Sequence, residues 1–196
     1  MDKYRSLGET IARYKGVVLD LDETLVNLNT DWKALKKTLS EFTKKQTGEE
    51  IEFTPLDQKI HQVKEKFGEL FFFQLLELIS QFELCEEKYE LNYELISLLE
   101  FYEEKKIAIY SMNTRKCVEN FVKKNLKRKP DTIVVKDNCS EPKPTEKDLQ
   151  RIMQEWNMNE SEIVYIGNSE GDRLSGEKAG VKTYIIQNFT SRACDP

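Results

Sequence analysis

The stretch Val17-Val18-Leu19-Asp20-Leu21-Asp22-Glu23-Thr24-Leu25 decides how this chain is read. It opens on three apolar residues, two of them β-branched, the signature of a short buried strand. Such a strand needs apolar cover on both faces, as in the middle of a parallel sheet. Side chains alternate along a strand, so Asp20 and Asp22 emerge on the same side where it ends. Open parallel sheets bind ligands beyond the carboxyl ends of their strands, which makes this acidic pair a candidate site.

Working outward, four more apolar runs read as strands, and the full set is 16–21, 107–111, 132–135, 163–167 and 182–186. Helical spacing separates them. Leu95, Leu98, Leu99 and Tyr102 precede the second run, Val118, Phe121 and Val122 follow it, and Leu149, Ile152, Met153 and Trp156 precede the fourth. A further helix is expected over 172–179, stopped by Gly180. Strands alternating with helices imply crossover units. The expected class is therefore α/β, a Rossmann-like parallel sheet flanked by helices.

Roughly 85 residues separate the first two strands, where a crossover needs only about a dozen. No strand pattern is visible among them. Trp32, Leu35, Leu39 and Phe42 mark one amphipathic helix. Ile60, Val63, Phe67, Leu70 and Phe71 mark a second, continuing through Leu75, Leu78, Ile79 and Phe82. Thr47-Gly48 and Thr54-Pro55 are the internal breaks. The expected organisation is a core of residues 1–25 and 93–196 with a small helical subdomain over 26–92. Of Phe71, Phe72 and Phe73, at least one ring is expected to face the core or a substrate cavity, because three consecutive side chains cannot share one helix face. His61 is expected to be structural or solvated.

The 196 residues carry a net charge of −5, which argues against nucleic acid or an anionic membrane as the main partner. The apolar run beginning at Leu70 is too short to span a bilayer. The four cysteines, Cys85, Cys117, Cys139 and Cys194, form no close pair, and His61 is the one histidine, so a zinc site is not expected. Free thiols and a soluble, cytoplasmic protein are the plain expectation.

The strand ends collect a consistent chemistry. Asp20 and Asp22 follow the first, Ser111 and then Asn113 the second, Lys143 the third, and Asn168, Ser169, Glu170 and Asp172 the fourth. Hard oxygen donors of this kind suit magnesium, which binds through one or two carboxylates and leaves room for phosphate oxygens. A carboxylate can attack phosphorus, and a second can move the proton. A lysine and a hydroxyl can orient and neutralise the phosphoryl oxygens.

Asp20-Leu21-Asp22-Glu23-Thr24-Leu25 resembles the first motif of the haloacid dehalogenase-like superfamily. Ser111, Lys143 before Pro144, and Gly167-Asn168-Ser169-Glu170-Gly171-Asp172 follow in that family's order. The resemblance covers about residues 15–25 and 93–187, and the insertion lies where many members carry a cap. It implies sheet order 5-4-1-2-3, Asp20 as nucleophile and Asp22 as acid/base. It implies that Ser111, Asn113 and Lys143 hold the phosphoryl group, and that Mg2+ sits on Asp20, Asp22, Asn168 and Asp172. The family usually has Gly-Asp where this chain has Gly167-Asn168. Asparagine offers a carbonyl oxygen without the charge, and Glu170 or Asp172 is placed to compensate. The implied activity is a magnesium-dependent phosphatase acting on a small phosphorylated metabolite through an aspartyl-phosphate. The alternatives are a phosphomutase of the same superfamily, or a low-turnover phosphate-binding or regulatory protein.

Overall fold

The computed structural model describes residues 2–84, 89–187 and 189. β1 (Gly16–Leu19) forms the centre of a five-stranded parallel sheet. It pairs on one side with β4 (Lys106–Tyr110) and on the other with β6 (Ile163–Gly167). β5 (Thr132–Val134) and β7 (Lys182–Ile185) form the two edges. In full the order is β5-β4-β1-β6-β7, and numbering these five strands among themselves and reading from the β7 edge gives the expected 5-4-1-2-3.

Alternation along β1 explains how one strand serves two cores. Val17 and Leu19 pack with Ile107, Ile109, Val164 and Ile166 on one face. That face is covered by α1 (Asp2–Ile11), α5 (Tyr93–Phe101) and α6 (Arg115–Asn125). Val18 points the other way, to a cluster with Ala108, Tyr110 and Tyr165 under α7 (Lys147–Trp156). α8 (Glu170–Ala179) packs beside it against β6 and β7. Each fully buried aliphatic side chain here contributes roughly 1.5–3 kcal/mol from the area it removes from water. The helix α1 has no counterpart among the sequence expectations.

The insertion holds α2 (Trp32–Thr47), α3 (Leu56–Phe67) and α4 (Glu69–Glu83), which share an apolar cluster of their own around Leu39, Phe53, Ile60, Phe72 and Ile79. Three corrections to the sequence reading fall here. First, the insertion is not free of strand: β2 (Val26–Asn27) pairs antiparallel with β3 (Glu90–Leu91), clamping the two chain crossings together. Two-residue strands are too short for alternation to register in sequence. Second, the long second helix is two helices, because Gly68 stands between them at φ 85°, ψ 177°. An L side chain rarely adopts that conformation, and the chain redirects there. Third, the redirection turns Leu70 outward, 77% exposed, although it fitted the single-helix spacing. Phe71 and Phe72 are buried while Phe73 is 55% exposed, so the third ring faces solvent.

Cys117 is a buried free thiol and Cys139 a half-buried one, while Cys85 and Cys194 lie outside the described residues. Among the described residues no helix is long and apolar enough to cross a membrane.

Candidate active site

The turn after β1 is built from backbone bonds that fix both aspartates. The Asp20 N–H donates to the Ile166 carbonyl at 2.9 Å, extending the sheet one residue beyond β1. The Leu25 N–H reaches the Leu21 carbonyl at 2.8 Å, and the Glu23 N–H reaches that of Val26 at 2.7 Å. Glu23 takes φ 57°, a left-handed conformation costing about 1 kcal/mol. Those bonds hold it there. Asp22 Oδ1 accepts the Leu28 N–H at 2.9 Å, and the Thr24 hydroxyl donates to Asp20 Oδ2 at 3.3 Å.

Lys143 ties the strand ends together. Its Nζ donates to Asp20 Oδ1 at 2.8 Å, Asp172 Oδ1 at 2.7 Å and the Tyr110 carbonyl at 2.8 Å. It also sits 4.5 Å from the centre of the Tyr110 ring. With all three donors placed and the side chain 6% exposed, this ammonium is fixed before any ligand arrives. Burial alone would lower its pKa, but the charges of Asp172 and Asp20 outweigh that and raise it.

Asp172 serves two purposes at once. Its Oδ2 accepts the Asn168 N–H at 3.2 Å, the Ser169 N–H at 3.0 Å and the Ser169 hydroxyl at 2.6 Å, while Ser169 Oγ accepts the Asp172 N–H at 3.1 Å. That is a capping box on α8, placing an acid at the positive end of the helix. Its Oδ1 receives Lys143 and the Tyr165 hydroxyl. Gly167 makes room: a Cβ there would lie 2.5 Å from Asp172 Cγ.

Beyond β4, the Ser111 hydroxyl donates to Asn113 Oδ1 at 2.7 Å, and Asn113 Nδ2 donates to Glu83 Oε1 at 3.0 Å. Glu83 Oε2 also accepts the Thr114 N–H at 2.9 Å and the Thr114 hydroxyl at 2.5 Å. Glu83 ends α4 and is fully buried. An acid of the insertion therefore orients the Ser111–Asn113 turn of the core. Both ends of the Asn113 amide are engaged within the protein, which makes it a group that aims Ser111.

These residues line a cleft of about 380 Å³ that includes Asp20, Asp22, Ser111, Asn113, Lys143, Asn168 and Asp172. All seven sequence candidates thus meet in one place. Trp32, Leu56 and Asp57 of the insertion and Met112 and Lys136 of the core also line it. Sequence reading missed Glu83, Asp57, Lys136 and Tyr165. Glu83 had one signal: it falls four residues after Ile79, on the buried stripe of α4.

Burial pushes the Asp22 carboxyl up to about 7, against the Leu28 N–H, with Asp20 adding to the rise. Burial and the neighbouring Asp172 also raise Asp20, and Lys143 opposes them. Burial raises Glu83 against Lys136 and the Thr114 donors. Among the described residues no three acids, histidines or cysteines are arranged as a metal cage. Magnesium does not need one, since carbonyls and waters complete its shell. Asp20 supplies a carboxylate facing the cleft. Asn168 Nδ2 donates to Glu23 Oε2 at 2.9 Å, which leaves its carbonyl oxygen as the acceptor. Asp172 already accepts from Lys143, Tyr165, Asn168 and Ser169, so it fits as a group that positions lysine and helix more readily than as an open ligand. This hard-oxygen set fits magnesium.

The haloacid dehalogenase-like hydrolase family model matches residues 17–186, spanning the sheet, the insertion and every residue of the cleft. This chain belongs to that family. Members of the haloacid dehalogenase-like family of phosphatase type generally use a divalent metal. The chain is 29% identical over 178 residues to the pyrophosphatase PpaX of Bacillus cereus, covering 87% of this chain and 82% of the relative. Among solved structures it resembles CbbY from Rhodobacter sphaeroides in complex with phosphate, with TM-score 0.61 and 14% identity, covering 93% of this chain and 90% of that one. A predicted phosphoglycolate phosphatase from Haemophilus somnus gives TM-score 0.57 and 17% identity, covering 87% and 84%. At these identities the structural likeness concerns the fold.

Proposed function

We propose that this protein is a magnesium-dependent phosphatase that hydrolyses a small phosphomonoester through an aspartyl-phosphate on Asp20. The observation that carries the reading is Lys143, buried and bonded to Asp20 and Asp172 at once beside Ser111. A fixed ammonium between a nucleophile and a hydroxyl donor is where a phosphoryl group, with its spread negative charge, is best stabilised.

In the proposed reaction an Asp20 carboxylate oxygen bonds to phosphorus as the ester P–O bond breaks. Asp22, whose carboxyl is held near neutrality, gives its proton to the departing oxygen. It then takes a proton from water as that water bonds to phosphorus and the P–O bond to Asp20 breaks, releasing inorganic phosphate. Lys143 neutralises phosphoryl charge as Asp20 Oδ1, its partner in the resting chain, is taken up by phosphorus. The Ser111 hydroxyl turns from Asn113 to a phosphoryl oxygen while Glu83 holds the Asn113 turn in place. Magnesium, held by the Asp20 carboxylate, the Asp22 backbone carbonyl and Asn168, with Asp172 behind them, would neutralise phosphoryl charge. The helices of residues 26–92 act as a cap over a core of 1–25 and 93–196, and the cytoplasm is the proposed location.

Asp20→Asn is expected to lower p-nitrophenyl phosphate hydrolysis by about a thousandfold or more while leaving the circular dichroism spectrum unchanged. Wild-type turnover retained in that variant would overturn the assignment. Release of free phosphate, followed with a sugar phosphate as substrate, separates hydrolysis from a mutase, which returns the group to the sugar. Similarity to the pyrophosphatase PpaX makes pyrophosphate the competing substrate to be tested beside phosphomonoesters.

A further inference from the structure

The part of the cleft away from Lys143 has a charge pattern that the proposed reaction does not use. Lys136 is the second of two cations lining the cleft, against Asp20, Asp22, Glu23, Asp57 and Asp172. Its side chain is 2% exposed, and its Nζ lies 3.0 Å from Asp57 Oδ1 of α3. Burial works to lower the Lys136 pKa, but Asp57 and Glu83 outweigh it and keep the ammonium charged. Lys136 is thus a buried cation already matched by the acids of the insertion. An anionic group arriving there would have to displace Asp57, leaving a carboxylate unpaired in a partly desolvated wall. Around the pair, Trp32, Leu56 and Met112 offer surface to an uncharged group.

We propose that the Asp57–Lys136 pair is a specificity-determining element that rejects a second anionic group, so the substrate is a phosphomonoester of an uncharged, partly apolar alcohol. The inference rests on the phosphatase reading above and narrows it. Discrimination comes from a partly desolvated Asp57 carboxylate left unpaired in the wrong complex, a penalty larger than one missing apolar contact. Pyrophosphate and 2-phosphoglycolate both carry their second charge on the leaving group, and both fall on the rejected side.

The test compares kcat/KM of the full chain with magnesium for p-nitrophenyl phosphate and glycerol 2-phosphate against pyrophosphate and 2-phosphoglycolate. The wild type is expected to favour the uncharged leaving groups by about tenfold or more. Asp57→Asn frees Lys136 to accept an anion, and the ratio of anionic to uncharged substrates is expected to rise by about tenfold. Adding Lys136→Gln to that variant is expected to remove the rise. A wild type that prefers pyrophosphate or phosphoglycolate, or an Asp57→Asn ratio equal to that of the wild type, overturns the inference and leaves the phosphatase reading standing. Absence of turnover with all four substrates sinks both. Should Asp57→Asn fail to fold, the wild-type ratio decides by itself.

Discussion

At the scale of single residues, the site is held by contacts too close to tolerate addition. Gly167→Ala would place a methyl group against the Asp172 carboxyl, 2.5 Å from Cγ, with that carboxyl committed to Lys143, Tyr165 and the α8 cap. We expect a loss of roughly 1–3 kcal/mol in chemical denaturation and a fall in kcat of about tenfold or more. Stability lost with kcat retained would show that Asp172 is not a rigid support. Asn168 is the residue that departs from the family pattern. Asn168→Asp adds a charge where its amide now bonds Glu23, and magnesium titration followed by activity should show a lower half-saturation, by about tenfold. An unchanged value would place Asn168 outside the metal shell. Sequence reading found Asp20, Asp22 and Ser111 because they stand at the ends of recognisable strands, and Lys143 and Asp172 because they follow later strands in the order of the family's motifs. It missed Asp57, Lys136 and Tyr165 because their relevance comes from packing between distant segments. No local pattern announces that α3 will lay Asp57 on Lys136.

At the scale of elements, legibility followed length and periodicity. The five sheet strands and the crossover helices carry runs long enough to declare their period, and they were found within a residue or two. The β2–β3 ladder has two residues per strand and declares nothing. The boundary between α3 and α4 was hidden because apolar spacing continues through it, and only the Gly68 backbone conformation breaks the helix. Gly68→Ala forces an L side chain into φ 85°, ψ 177° with open space around it, so its cost is conformational rather than steric. A loss of about 1–3 kcal/mol in urea unfolding is expected. A neutral result would mean that the chain can adopt the single-helix path its spacing suggests. Glu83 shows what this junction positions: α4 must start at the right angle for its last residue to reach Thr114 and Asn113 in the core.

At the scale of the whole molecule, the cleft concentrates negative charge that the fold must carry when no metal is bound. The Asp22 carboxyl stands near 7 in the folded chain against 3.8 as its ordinary value, so the native state binds its proton more tightly than the unfolded state. Its contribution to stability is complete below the ordinary value and disappears as pH rises through about 7. Glu83, also raised by burial, acts in the same direction. His61 is lowered by burial first and acts in the opposite one, so the shape of the wild-type curve alone does not isolate Asp22. Comparison with Asp22→Asn does, because the amide keeps an oxygen for the Leu28 N–H and does not ionise. In a chelator, the variant should gain stability relative to wild type between pH 5 and 8, reaching roughly 2 kcal/mol at the alkaline end, which discounts the full shift for partial exposure. Urea unfolding at a series of pH values measures the difference directly. A constant difference would show that Asp22 is ionised across the range in the metal-free protein. It could not then deliver a proton at neutral pH, and the acid role would pass to another group.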